Sequence, residues 1–247
     1  MRILSSLIFV ASCLAADLPS GESLIEKAFQ VTGGEKSVAK FKSTTMSGKL
    51  EMGGGSLVGT VLMYQADGKS YTTLELPGIG KVEEGFDGQT AWEMSALQGV
   101  RVKEGAERDL SVRGAKLTPL SGWRDSYTAA KTIGEEDVEG NPAWKVEMTP
   151  TTGKTEIFYL DKKSGLPVRM TMSMPTAMGE IAVDQRLGDY RMVTGVQTPF
   201  LMVMNAMNQV MTMKFEKVSY EESVPEGRFD LPAAVKTMVE RRKNAPK

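Results

Sequence analysis

The sequence predicts a mainly β domain of the α+β class, a curved antiparallel sheet of about ten or eleven short strands curled around helices. Three observations carry this. Apolar residues recur at every second position from Thr44 onward and again beyond Thr132. Gly, Pro, Asn and Asp punctuate those runs at short intervals. Helical spacing marks the stretch after Pro19, and a polar break from Gly105 to about Lys131 keeps no clean strand period.

In chain order, "MRILSSLIFVASCLAADLPS" places one cation, Arg2, before an apolar run from Ile3 to Ala11 and then small residues, the pattern of a short secretory signal. The run is too short to span a bilayer. Cleavage after Ala15 is expected. The stretch Val10-Ala11-Ser12-Cys13 also resembles a lipobox that would lipidate Cys13, so the chain is exported and periplasmic, or anchored to the outer membrane through Cys13. In "SGESLIEKAFQVTGG", Leu24, Ile25, Ala28 and Phe29 lie at helical spacing, with Ser20 or Ser23 as N-cap and Gly33-Gly34 as stop; a shorter helix follows. "TTMSGKLEMGGGSLVGTVLMYQ" is a hairpin through Gly53-Gly54-Gly55, and Pro77-Gly78 and Asp87-Gly88 mark further turns. No helix or Lys-Ser/Thr follows the glycine triplet, and Gly78-x-Gly80 lacks its third glycine, so neither is a nucleotide loop. The polar break reads as two short helices. Strands then resume at Trp144, Val146 and Met148, at Ile157 and Tyr159, along "PVRMTMSMP", at Ile181 and Val183, and along "PFLMVM" and "VMTMKFEKVSY". Pro175 is expected to end its strand, leaving Met178 to the next. The domain plan is a signal at 1–15, one domain at 16–232 and a basic tail at 233–247, read as a frayed, solvated helix.

Composition removes whole classes of function. With no histidine, Ser-His-Asp and Cys-His catalysis and histidine-ligated metals are excluded. Cys13 is the single cysteine, so no internal disulfide forms. A net charge of −1 gives no footprint for nucleic acid. No cofactor is expected, and a monomer is.

Methionine is abundant, with 17 residues, and it is patterned. Val168, Met170, Met172 and Met174 alternate with Arg169, Thr171 and Ser173, so one face is apolar and the other wet. Phe200, Met202 and Met204 repeat the pattern, as do Met211, Met213 and Phe215. These ten residues are the candidate wall of an apolar cavity. Three readings compete: ordinary core, a lipid-facing wall of flexible thioethers, or a Cu(I) site. Regular strands space same-face neighbours roughly 7 Å apart, which disfavours convergence on one ion. No metal site is therefore assigned. For an enzyme, the carboxylates are Glu83-Glu84 and Glu135-Glu136-Asp137, but adjacent strand positions point to opposite faces, so solvated charge is the simpler reading. Trp92, Trp123 and Trp144 read as core before they read as stacking platforms.

"VTGGEKSVAKFKS", "LPGIGKVEEGFDGQTAWEM", "IFYLDKKSGLPVRM" and "GDYRMVTGVQTPF" resemble segments of bacterial outer-membrane lipoprotein-sorting proteins of the LolA/LolB-like carrier superfamily. The resemblance implies an unclosed barrel around a helical lid, an apolar cavity for acyl chains, and lipid acyl chains or a lipidated protein as partner, with envelope membrane proteins as further partners. No residue role is carried over. A sixteen-carbon chain would gain at most about 12 kcal/mol on full burial, at ~0.8 kcal/mol per methylene. The expected function is therefore a non-enzymatic lipid or lipoprotein carrier; a carboxylate hydrolase, a Met-based Cu(I) binder and a structural envelope protein remain as alternatives.

Overall fold

The computed structural model describes residues 18–66, 68–96, 98–118, 120–177 and 179–244. The expected signal with Cys13, and Met178, lie outside them. Ser20 caps helix α1 (Gly21–Val31), its hydroxyl oxygen accepting from the Ser23 amide. This helix buries Leu24, Ile25 and Ala28 along one stripe. Gly33, at φ 133°, turns the chain into the short α2 (Gly34–Val38).

Six strands follow as a meander: β1 (Ser43–Met52), β2 (Leu57–Ala66), β3 (Lys69–Leu76), β4 (Gly80–Phe86), β5 (Ala91–Ser95) and β6 (Gly99–Lys103). Helix α3 (Gly105–Gly114) and a 3-10 turn at Trp123–Asp125 then lead into the second meander. Its strands are β7 (Tyr127–Val138), β8 (Asn141–Pro150), β9 (Glu156–Asp161), β10 (Pro167–Thr176), β11 (Gly179–Val193), β12 (Val196–Ala206) and β13 (Gln209–Ser219), followed by α4 (Ala233–Asn244). All thirteen form one antiparallel sheet in which β1 pairs with β13, joining the meanders, while β6 and β7 are left as edges. The barrel is therefore unclosed.

The strand count exceeds the expected ten or eleven. β5 and β6 have five residues each, too few to establish an alternation. The start of β7 is hidden by register shifts at Tyr127/Ala129 and Thr132/Gly134, which break the two-residue period. β10 also continues through Pro175, paired with Glu180, one residue past the expected stop.

One face of the sheet receives α1 and α3. Leu24, Ile25 and Ala28 of α1 and Trp123 pack there on Val146, Met148, Phe158 and Leu160. Gly21 sits so close to the β7 backbone that a Cβ would lie 2.6 Å from the Ala130 carbonyl carbon. On the other half of that face, Phe41, Met46, Leu50, Val61, Phe200, Met213 and Phe215 form a second core. The C-terminal segment is not a solvated tail. It crosses the opposite face, where Val235 is wholly buried with Trp92 and Tyr71, while Arg241, Arg242 and Lys243 form the basic last turn. Trp92 in turn fits only because Gly85 opposite it has no side chain, a Cβ there falling 2.7 Å from the indole.

Candidate lipid-facing surface

Strand register carries the methionines onto one surface. Met202 opposes Met213 and Met204 opposes Met211 across β12 and β13. Leu50 and Met52 of β1 oppose Met213 and Met211 on the far side, so a row Met204, Met211, Met52 crosses three strands. On β10, Met170, Met172 and Met174 oppose Gln185, Val183 and Ile181 of β11, and Gln185 and Leu187 oppose Met204 and Met202. Side chains opposite one another in adjacent strands lie close enough to form a continuous apolar layer. It is the helix-bearing face, because Met170 packs against the α1 core and Phe200, Met213 and Phe215 belong to the second core.

Nine of the ten candidate residues share this face. Val168 does not. A bulge between Pro167 and Arg169 inserts an extra residue, turning Val168 toward Val138, Ala143 and Tyr159 on the opposite side. The nine divide further. Phe200, Met213 and Phe215 are buried core, and Met170, Met202 and Met211 pack against core margins. Met172, Met174 and Met204 are half-buried and belong to no packed cluster among the described residues. Met46, Met52 and Met63 extend the layer across β1 and β2. Their signal was in the sequence, since Met46, Leu50 and Met52 keep the same spacing along β1. Gln185 is the polar exception, its amide reaching the Met202 sulfur at 3.9 Å.

The layer is bounded by its helices. At one end of the sheet, α1 is clamped by Glu26, which accepts from Trp123 Nε1 at 3.1 Å and from Arg124 at 2.5 Å. These two donors hold the Glu26 carboxyl below the usual carboxylate range. Helix α3 buries none of its own residues and is held by charge instead. Arg101 of β6 binds Glu107 and Glu93 at 2.8 and 2.6 Å. At its far end, Arg113 binds Glu156 of β9 at 2.8 Å, and the Tyr127 hydroxyl donates to the same carboxylate at 2.6 Å. Burial and the neighbouring carboxylate push the Tyr127 phenol up, so it stays a proton donor. Gln65 donates to the Gly114 carbonyl at 2.6 Å. The helix thus spans the two meanders as an ionic strut rather than an apolar plug.

The carboxylates singled out for acid-base work are engaged elsewhere. Glu84 binds Lys103 at 2.5 Å, Glu136 binds Lys145 and Arg169 at 3.0 and 2.7 Å, Glu83 takes Lys81 and Tyr71, and Glu135 takes Lys162. Glu83 and Glu84 point to opposite faces, as their spacing requires. Trp123 and Trp144 lie in or against the α1 core. No group of three or more His, Cys, Asp or Glu side chains gathers among the described residues, and no described helix is long and apolar enough to cross a membrane. An open depression of about 820 Å³ borders β10 to β12 and reaches both faces at that end of the strands, its lining taking Met172, Ile181 and Val183 from the methionine face and Thr171, Ser173, Asp184 and Asn205 from the opposite one.

No family model and no curated protein matches the sequence. Solved structures do match. A LolA-superfamily protein from Nitrosomonas europaea superposes with a TM-score of 0.59 at 11% identity, over 87% of this chain and 99% of that one. A domain described as an outer membrane lipoprotein-sorting protein from Vibrio parahaemolyticus gives 0.55 at 14% identity, over 88% and 100%. With the single unclosed sheet, these matches establish that the chain has the LolA/LolB-like fold.

Proposed function

We propose that the protein is an exported, non-enzymatic carrier that holds a lipid acyl chain, free or on a lipidated protein, against the methionine layer. The carrying observation is that Met172, Met174 and Met204 lie on the helix-bearing face, half-buried, with no packed cluster around them. Thioether side chains adapt to an irregular ligand, and incomplete packing leaves contacts for an acyl chain to make. The likeness to a lipoprotein-sorting domain supports the same reading. Envelope membrane proteins would be its further partners, with the carrier a monomer and nucleic acid no partner.

The test is titration of the purified protein with a fluorescent fatty acid, displaced by unlabelled palmitate. Saturable, displaceable binding that Met172→Glu with Met204→Glu abolishes is expected. Binding unaffected by that pair overturns the assignment of the surface. Met172→Leu with Met204→Leu keeps volume and apolarity, so acyl binding should survive, whereas a thioether copper site would be lost.

A further inference from the structure

The two rims of the sheet differ in charge. At one rim lie the links β1–β2 (53–56), β3–β4 (77–79), β5–β6 (96–98), β10–β11 (177–178) and β12–β13 (207–208), and none of them contains a charged residue. Only the sixth link at that rim, β8–β9 (151–155), has one, Lys154, and it is paired with Glu180. At the opposite rim, described residues carry charge in three of the five hairpin links: Asp87, Glu139, and Lys162 with Lys163. The uncharged rim also exposes large apolar side chains. Val58 is 48% exposed, Ile79 47%, Met207 62% and Val210 44%. They belong to three hairpins adjacent in the sheet, β3–β4, β1–β2 and β12–β13. Across those six strands the tips span roughly 24 Å, with one hairpin about every 10 Å.

We infer that this rim docks edge-on against the surface of a lipid bilayer, with Val58, Ile79, Met207 and Val210 inserted at headgroup depth. This rests on the proposed acyl-binding role of the methionine layer. The occupant follows from the chemistry. A protein partner would ordinarily meet a polar and charged border around an apolar centre, and here the border is absent along five links. Of the nearest charges, Glu51 is neutralised by Lys214 at 2.8 Å and Lys81 by Glu83 at 2.9 Å, while Glu75, opposite Lys81 in the sheet, is exposed. The polar residues among the tips, Ser56, Asn208 and Gln209, are uncharged groups that can hydrogen-bond to lipid headgroups. The tips form a line rather than a groove, which suits a planar surface. The rim is also continuous with the unfilled end of the methionine layer: Met52, Met174 and Met204 stand within two or three residues of its links. An acyl chain leaving a bilayer beneath the rim would enter directly onto thioethers. Four partly exposed side chains give weak, reversible attachment, as exchange requires.

The experiment is vesicle flotation of the full-length exported protein with phosphatidylcholine vesicles at low and high salt, alongside a Val58→Asp, Ile79→Asp, Met207→Asp variant. The wild type should float equally at both salts, and the variant should bind ~tenfold or more weakly, with palmitate displacement unchanged. An Ile79→Trp variant should gain a blue-shifted emission on adding vesicles. No flotation of the wild type, flotation equal in the variant, or binding confined to anionic vesicles and lost in salt would each overturn the inference. So would a dimer in sedimentation that the aspartates dissolve without any vesicle binding. Loss of flotation in the variant with no palmitate binding in the wild type would sink the carrier reading alone; intact palmitate binding without flotation would sink the rim alone.

Discussion

Met148 and Met204 lie on the same face of one sheet, each at an apolar position of a regular alternation, and their surroundings are opposite. Met148 is fully buried beneath α1, in contact with a packed cluster. Met204 is half-buried and belongs to none. Alternation therefore decides which face a side chain joins, while the path of the helices over that face decides whether it becomes core. α1 fills one end by apolar burial. α3 crosses toward the other on salt bridges and hydrogen bonds, burying none of its own residues, and Met172, Met174 and Met204 at that end stay half-buried.

The contrast can be broken most sharply by truncation. Met148→Ala should cost about 3 kcal/mol, the range for a large side chain removed from a filled core, whereas Met204→Ala should cost under about 1 kcal/mol because little packing is lost there. Urea unfolding of the two variants measures the difference, and equal costs would mean the ends are packed alike. Arg113→Ala comes next. It leaves Glu156 buried with only Tyr127 as partner, at a cost of roughly 2 kcal/mol, and it frees one end of α3, which amide hydrogen exchange over residues 105–114 would register as lost protection. Smaller still is Met172→Leu with Met204→Leu, expected to change stability by less than about 1 kcal/mol.

Acid should act through paired carboxylates at both ends of the sheet, Glu83 and Glu180 included. Glu26 and Glu136 are both held below the ordinary carboxylate value, Glu26 by Arg124 and then Trp123, Glu136 chiefly by Lys145. Their folded-state values lie below the unfolded ones, so the stability they contribute is fully present above about pH 4.5 and is lost as pH falls through the folded-state values. These pairs are exposed, so the thermal midpoint should drop by only a few degrees. A rise in stability on acidification would contradict the assignment.

Much of this was legible in the residues. The glycine stop after α1, the hairpin at Gly53–Gly55 and the alternation from Met170 to Met174 all specify local geometry, and local geometry is what neighbouring residues encode. Val168 was misplaced because a bulge depends on how β10 pairs with β9, which its own spacing does not report. The docking of α4 escapes the sequence because its two anchors, Val235 and Val239, sit in a basic helix, and their partners Trp92 and Tyr71 come from strands far away in sequence. The strut role of α3 was hidden for the same reason: Arg113 and Glu156 are 43 residues apart. The open end of the layer depends on what fails to cover it, and no sequence pattern marks an absence of neighbours.

The most direct test of the central claim is native mass spectrometry of the protein purified from its own cell envelope under mild conditions, beside the Met172→Glu, Met204→Glu variant. The account predicts acyl-bearing species bound to the wild type and missing from the variant. Wild type carrying no such species, or both proteins carrying them equally, would contradict it.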